Sequence, residues 1–228
     1  MCFKHFLDLL SMYIWFKYLI FLIYFPLELL KIVTMAVEFK KNDQIQMSRW
    51  IGERKKFTLL FKASTNGCTS TAFHNQCNNK GPTVTILYNT NNSVYGGYTS
   101  VNWRSYGDYL QDAKAFLFRL YQNGAWKPVQ MTVQNATQAI YDHASYGPTF
   151  GGGYDLHTFS NTVNTNGTYF PLNGSVNLGH SYATKGENYN SIANEHIQVK
   201  DLEVYLVEGK LNMLYSRIRR TNILLKLV

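Results

Sequence analysis

From Phe57 onward the chain is built of short apolar and aromatic stretches, three to seven residues long, separated by glycine, asparagine and proline. This spacing of short runs between turn residues predicts strands rather than long helices. Phe57–Ala63 (FTLLFKA) reads as a strand, followed by a turn at Asn66-Gly67. Thr83–Tyr88 alternates apolar and polar, Asn89–Asn92 forms a polar hairpin loop, and Val94–Thr99 returns as a second strand. Ala115–Tyr121 (AFLFRLY) predicts a buried strand, Val129–Val133 and Ala139–Tyr141 weaker ones, and Asp155–Phe159 and Leu202–Val207 the last two. In the closing strand Leu202, Val204 and Leu206 alternate with Glu203 and Tyr205, which places Glu203 on a wet face or beside a buried amide. Helical spacing occurs early. Ile45, Met47, Trp50 and Ile51 give Asn42–Glu53 an apolar face, with Asn42 or Asp43 as cap and Arg54, Lys55 and Lys56 after its C-terminal end. Ser70–Cys77 reads as a short helix.

The ends have a different character. Residues 1–34 are apolar and aromatic, but Lys17, Pro26 and Glu28 interrupt them. A membrane span needs about 20 mostly apolar residues. Tyr13–Val33 reaches that length only if Lys17 snorkels and Glu28 sits at the boundary. Three readings stay open for this segment: an uncleaved anchor, a buried or interfacial helix, or an extension absent from the working protein, with Met35 as the natural start. Residues 35–56 form a helical lead-in, residues 57–208 the main domain, and residues 209–228 a basic tail with helical apolar spacing. That tail suits a membrane surface, a partner helix, or simple packing.

Composition sharpens the picture in two ways. Aromatic residues make up 15% of the chain and charged residues only 16%, which leans toward half-buried β surfaces. The net charge of +8 is unevenly placed: residues 57–208 hold eight Lys/Arg against nine Asp/Glu. The basicity lies in the flanks, so the body lacks the basic face that a nucleic-acid domain carries.

Catalytic signatures are missing. There is no phosphate loop, no GxSxG elbow and no HExxH. The glycines of FGGGYDL do not open a helix after a strand, which removes a dinucleotide reading. His74, His143, His157 and His180 lie near Asp142, Asp155 and Glu187 in sequence, but a triad is built by geometry, not by adjacency. Asp155, directly after the glycine run, is expected to accept N–H bonds from that turn. Cys68, His74 and Cys77 have metal-binding types without the paired spacing of a zinc site. N-x-[ST] triplets begin at Asn91, Asn135, Asn166 and Asn173, as an Asn- and Thr-rich chain produces by chance.

Two glycine phrases stand out. Gly81-Pro82-Thr83 precedes Gly96-Gly97, and Gly147-Pro148-Thr149 precedes Gly151-Gly152-Gly153 and Asp155. Glycines so placed suit backbones that approach too closely for a Cβ. Together with Phe73-His74, Trp103, the AFLFRL strand with Phe116 and Phe118, and the closing LEVYLVEG with Glu203, these phrases resemble the TLDc domain family from about Phe57 to Glu208. The KASTNG, NNKGPT and ILYNTNNSVYGGYTS phrases resemble most the interferon-induced branch, whose members carry a GTPase domain after the TLDc domain. No phosphate loop occurs in this sequence, so nucleotide binding is not carried over. The resemblance implies an α+β fold, an antiparallel β-sandwich flanked by short helices. It implies a non-enzymatic, cytoplasmic protein-interaction module without cofactor or metal. Links to oxidative stress and innate immunity follow from it, as does binding to the vacuolar proton pump, the V-ATPase. The rival expectations are a membrane-anchored or secreted glycoprotein using residues 1–34, and a stress-linked enzyme of unrecognised type.

Overall fold

The computed structural model describes residues 38–209. The apolar segment 1–34 and the tail 210–228, with the expectations placed on them, lie outside the described residues. Within the described body, α1 (Lys41–Ile51) leads into β1 (Lys55–Lys62), then α2 (Ala63–Asn66) and α3 (Ser70–Cys77). The hairpin β2 (Thr83–Asn89) and β3 (Val94–Thr99) follows, then β4 (Asp108–Leu110), β5 (Phe116–Gln122) and β6 (Ala125–Thr132). A 3-10 turn (Ala136–Gln138) precedes β7 (Ile140–Asp142), β8 (Thr149–Phe150), β9 (Leu156–His157) and β10 (Phe170–Pro171). Helix α4 (Tyr189–Ala193) and the 12-residue β11 (Gln198–Gly209) complete the body.

Two antiparallel sheets share one core. The larger runs β1-β11-β2-β3-β5-β6, with β10 pairing β11, and the smaller runs β4-β7-β8-β9. Rings and aliphatic side chains of both sheets and of their loops, among them Phe61, Leu87, Trp103, Leu117, Phe150 and Phe159, form one buried cluster. The architecture is α+β, with the layers of a sandwich. The last strand in sequence is central in space, because β11 pairs β1 on one side and β2 on the other. Both of these neighbours come from the first half of the chain, more than a hundred residues earlier. The edge strands are guarded: β6 carries Lys127 and Pro128 at exposed positions, and β1 carries Lys55 and Lys56. Charge and proline on an edge discourage pairing with another sheet.

The far side of the large sheet is covered by α1. Met47 is fully buried, Trp50 meets Phe116 and Phe118 at 6.1 and 6.3 Å between ring centroids, and Phe39 packs on Phe57 and Tyr205. The expected cap at Asn42 or Asp43 moves to Lys40. Asp43 sits three residues in, and its carboxylate accepts the Lys40 N–H at 3.0 Å. Lys55 and Lys56 belong to β1 rather than to a helix end, and Ala63 opens α2 rather than closing β1. The Asp155–Phe159 stretch pairs only at Leu156 and His157. Helix α3 and strand β3 occupy the expected residues.

Candidate functional site

The chemistry-bearing residues fall into three groups, and the first lies on β11. Lys62 and Glu203 are register partners across β1 and β11. Lys62 Nζ lies 2.6 Å from Glu203 Oε1 and 3.4 Å from Asp201 Oδ2. The Tyr88 and Tyr205 hydroxyls donate to Glu203 Oε2 at 2.9 and 2.6 Å. Ser64 gives Asp201 its N–H at 3.1 Å and its hydroxyl at 2.5 Å. Both carboxylates are buried, Glu203 at 2% exposure. Burial works most strongly against the Lys62 charge, but the bonds to Glu203 and Asp201 and the charges of both carboxylates together outweigh it, and the amine pKa is raised. Burial, followed by the Glu203 charge, pushes the Tyr88 phenol far up; burial and its bond to Glu203 do the same for Tyr205. Both phenols stay protonated and donate. Glu203 is therefore on no wet face and beside no amide. The alternation misplaces it because α1 covers that side of the strand. An anion buried there persists when its oxygens are bonded and a cation is adjacent.

The second group holds loops. Asp155 is fully buried, and Oδ1 accepts the N–H groups of Gly179, His180 and Tyr182 at 2.9, 3.0 and 3.3 Å, while Oδ2 accepts that of Ser181 at 2.9 Å. The expected donors, the glycine turn before it, are replaced by a loop 24 to 27 residues later. Asp142 accepts the N–H groups of Arg104, Ser105 and Tyr106. Asp112 binds Thr99, both donors of Ser100, and the Lys114 N–H. The third acid with a sequence neighbour among the histidines, Glu187, pairs with Arg119.

Glycines make room for these contacts. A Cβ on Gly96 would stand 1.9 Å from the Thr85 carbonyl oxygen, and one on Gly97 would stand 2.6 Å from the Phe150 ring. A Cβ on Gly147 would meet Phe159 at 2.4 Å, one on Gly153 the His180 ring at 2.1 Å, and one on Gly152 the Gln138 amide at 2.6 Å. Gly151 combines a φ of +87° with the Asp155 carboxylate at 2.0 Å from its would-be Cβ. Gly81 has a φ of +112°, and Pro82 offers its carbonyl to the Val207 N–H. Pro148 likewise offers its carbonyl to the Thr158 hydroxyl at 2.9 Å. Thr83 accepts the Trp103 indole N–H at 2.9 Å, and Trp103 packs edge-on to Phe73 at 5.3 Å. Phe116 stacks on Tyr98 at 5.1 Å and touches Phe118.

The imidazoles form the third group, and among the described residues none of them bonds a carboxylate. His74 bonds Asn78 and the carbonyls of His143 and Tyr146. His143 lies parallel to the Tyr141 ring. His180 meets the Asn177 amide. His157 is the one with a catalytic outline. Its Nδ1 is 2.8 Å from Thr149 Oγ1, and its Nε2 is 2.9 Å from Ser160 Oγ. Thr149 spends its hydroxyl proton on the Gly147 carbonyl. His157 Nδ1 must then donate, which leaves Nε2 to accept from Ser160. A hydroxyl thus stands where a triad has its acid. Burial lowers the His157 pKa to about 4, so an imidazolium formed there would lack the carboxylate that stabilises it.

Cys68 and Cys77 are buried free thiols, each pushed up to about 12, mainly by burial. No group of three metal-ligating side chains occurs among the described residues. Nor, among them, is any helix long and apolar enough to cross a membrane. Sequence reasoning missed Gly174, whose Cβ would meet the His157 carbonyl oxygen at 1.9 Å, and it missed the loop-holding role of Asp112. Only contacts distant in sequence reveal either one.

Two curated relatives share part of this sequence. "MTOR-associated protein MEAK7" of Homo sapiens is 26% identical over 164 residues, covering 68% of this chain and 33% of that protein. The protein of the same name from Danio rerio is 27% identical over 70 residues, covering 31% of this chain and 16% of that protein. The chain thus spans a third or less of the length of these relatives. Residues 39–208 match the TLDc domain. That stretch holds the glycine phrases, the Phe73-His74 pair, Trp103 and the β11 carboxylates, and the chain belongs to the TLDc domain family.

Proposed function

We propose that this chain works by docking a protein partner and turns over no substrate. The observation that carries the reading is the commitment of its buried acids. Glu203 and Asp201 hold Lys62, Ser64 and two phenols, while Asp112, Asp142 and Asp155 hold backbone N–H groups. A carboxylate saturated in this way has little capacity left for a general acid or base role. The glycines of the two phrases, with Phe73, Trp103, Phe116 and Phe118, serve packing in this reading. The relatives' names point to mTOR as the first partner to test, and the family resemblance points to the V-ATPase as the second. Links to oxidative-stress protection and innate immunity rest on that resemblance, as does a cytoplasmic location. A membrane-associated location through residues 1–34 is the alternative.

Cross-linking of the purified full chain to purified mTOR and to purified V-ATPase tests the partner. Cross-links to one of them from residues 39–208 are expected; none to either removes both candidates. Cell fractionation with and without glycosidase tests location, and a mobility shift on glycosidase treatment would exclude the cytoplasm.

A second reading, a weak serine hydrolase, is favoured by the Ser160–His157 alignment alone. A fluorophosphonate probe decides it. No labelling is expected; labelling abolished by Ser160→Ala would establish the hydrolase.

A further inference from the structure

Helix α1 has two stripes with different duties. Asp43, Met47 and Trp50 face the large sheet. Lys41, Gln44, Ile45 and Ser48, spaced as i, i+3, i+4 and i+7, form another stripe. That stripe lines a groove of about 730 Å³ with Arg49, Glu53, Arg54 and Lys55. The chain reaches this place through a sharp reversal, with φ +90° at Gly52 and +66° at Glu53. The Lys55 N–H then bonds the Ser48 hydroxyl at 3.3 Å and fixes the far wall.

Four cations and one carboxylate surround this groove. Among the described residues, the ion pairs involve Lys56, Lys62 and Arg119 on the basic side, and none of the four groove cations. Like charges crowded on one face repel one another, and an anion placed among them relieves that repulsion. Ile45 lies among them at 43% exposure. An exposed β-branched apolar side chain in a cationic ring matches an interface with an apolar centre and a charged rim.

We infer that this groove binds an acidic peptide segment of a partner protein, its carboxylates on Lys41, Arg49, Arg54 and Lys55 and an apolar side chain on Ile45. The proposal rests on the docking function above and names where one partner sits. Concavity favours a peptide over a bilayer: a helix lying on a membrane presents a broad apolar stripe, whereas Ile45 is the single apolar residue of the groove among the described residues. Among the described residues, no aromatic ring lines the groove on which a base could stack.

The test uses the full chain and a fluorescein-labelled peptide with glutamate pairs on either side of one leucine. Its controls are the same peptide with Gln for Glu, and phosphatidylcholine vesicles containing phosphatidylserine. Fluorescence anisotropy is expected to show binding of the Glu peptide that weakens with added salt. Arg49→Glu with Arg54→Glu is expected to weaken it at least about tenfold. Lys127→Glu, an exposed base on β6, leaves it unchanged. All substitutions are at exposed positions, and circular dichroism confirms that each variant folds. Equal binding of the Gln peptide, no effect of the double reversal, or capture by vesicles in place of the peptide overturns the proposal. Failure of the Glu peptide to bind at all overturns the groove as well. Cross-links to a partner from elsewhere on residues 39–208 would then leave the docking function standing.

Discussion

In the large sheet, buried backbone N–H and C=O groups meet one another across the ladders of β1, β11, β2, β3, β5 and β6. In the layer of β4, β7, β8 and β9 the strands are two or three residues long, and much of the backbone has no ladder to join. There the N–H groups of Arg104, Ser105, Tyr106 and of Gly179–Tyr182 turn to Asp142 and Asp155. Both layers obey the same constraint, since a buried polar backbone group without a partner is costly. The sheet meets it with repetition and the loop layer with single side chains. Repetition tolerates the loss of a side chain but not the separation of strands. A loop layer hung on two carboxylates tolerates movement but not the loss of a carboxylate.

Separating strands breaks the first layer most severely. Gly96→Ala puts a methyl 1.9 Å from the Thr85 carbonyl in the middle of the β2–β3 pairing. Neither backbone can yield without opening the ladder. A loss of more than about 4 kcal/mol is expected, read as failure to reach a cooperative thermal transition. A variant that melts near wild type would show that the sheet is looser than its geometry.

Asp155→Ala attacks the second layer. It strands four N–H donors in a buried site, with an expected cost of about 3–5 kcal/mol. Hydrogen exchange separates the layers: protection at residues 179–182 is lost, while β2 and β3 keep theirs up to the global unfolding limit. Uniform loss of protection would mean that the two layers unfold as one unit.

His157 gives the loop layer a pH dependence. Its native pKa of about 4 lies below the ordinary value of 6.5. Between those values the unfolded chain holds more protons than the native one, so native stability falls as pH drops. The His157 contribution is complete above about 6.5 and gone near 4, and amounts to on the order of 3 kcal/mol at most. Urea titrations across this range should show a slope that His157→Gln flattens. An unchanged slope would place the titration elsewhere.

Gly152→Ala should have the smallest effect. Its methyl would meet the end of the Gln138 side chain, which can move away. Less than about 1 kcal/mol is expected. Gly153→Ala serves as the intermediate case, because its neighbour is the His180 ring, a rigid group held by Asn177.

Legibility follows the same division. The longer strands of the large sheet were readable because they show their period: Thr83–Tyr88 and Val94–Thr99 differ from the structure by at most one residue, whereas β6 starts four residues before the expected Val129. Strands β4, β8 and β10 left no trace, since two or three residues carry no period and exist only through their partners. The glycine phrases stood out in sequence, but the atoms they make room for did not. Gly97 faces a ring on β8, and Gly153 faces one 27 residues onward. Glu203 was noticed and misplaced. An alternating strand with one dry side was expected, and the covering helix α1 comes from the other end of the chain.

The sequence alone determined the turns, the strand periods and the family phrases, because each depends on neighbours within a few residues. Tertiary structure alone decided which loops Asp142 and Asp155 hold and that Lys62 and Tyr88 meet the Glu203 carboxylate. Each of those is a meeting of segments distant in sequence. Local pattern sets what a segment can form, whereas burial of a charge or a hydrogen bond is settled only when the distant partner arrives.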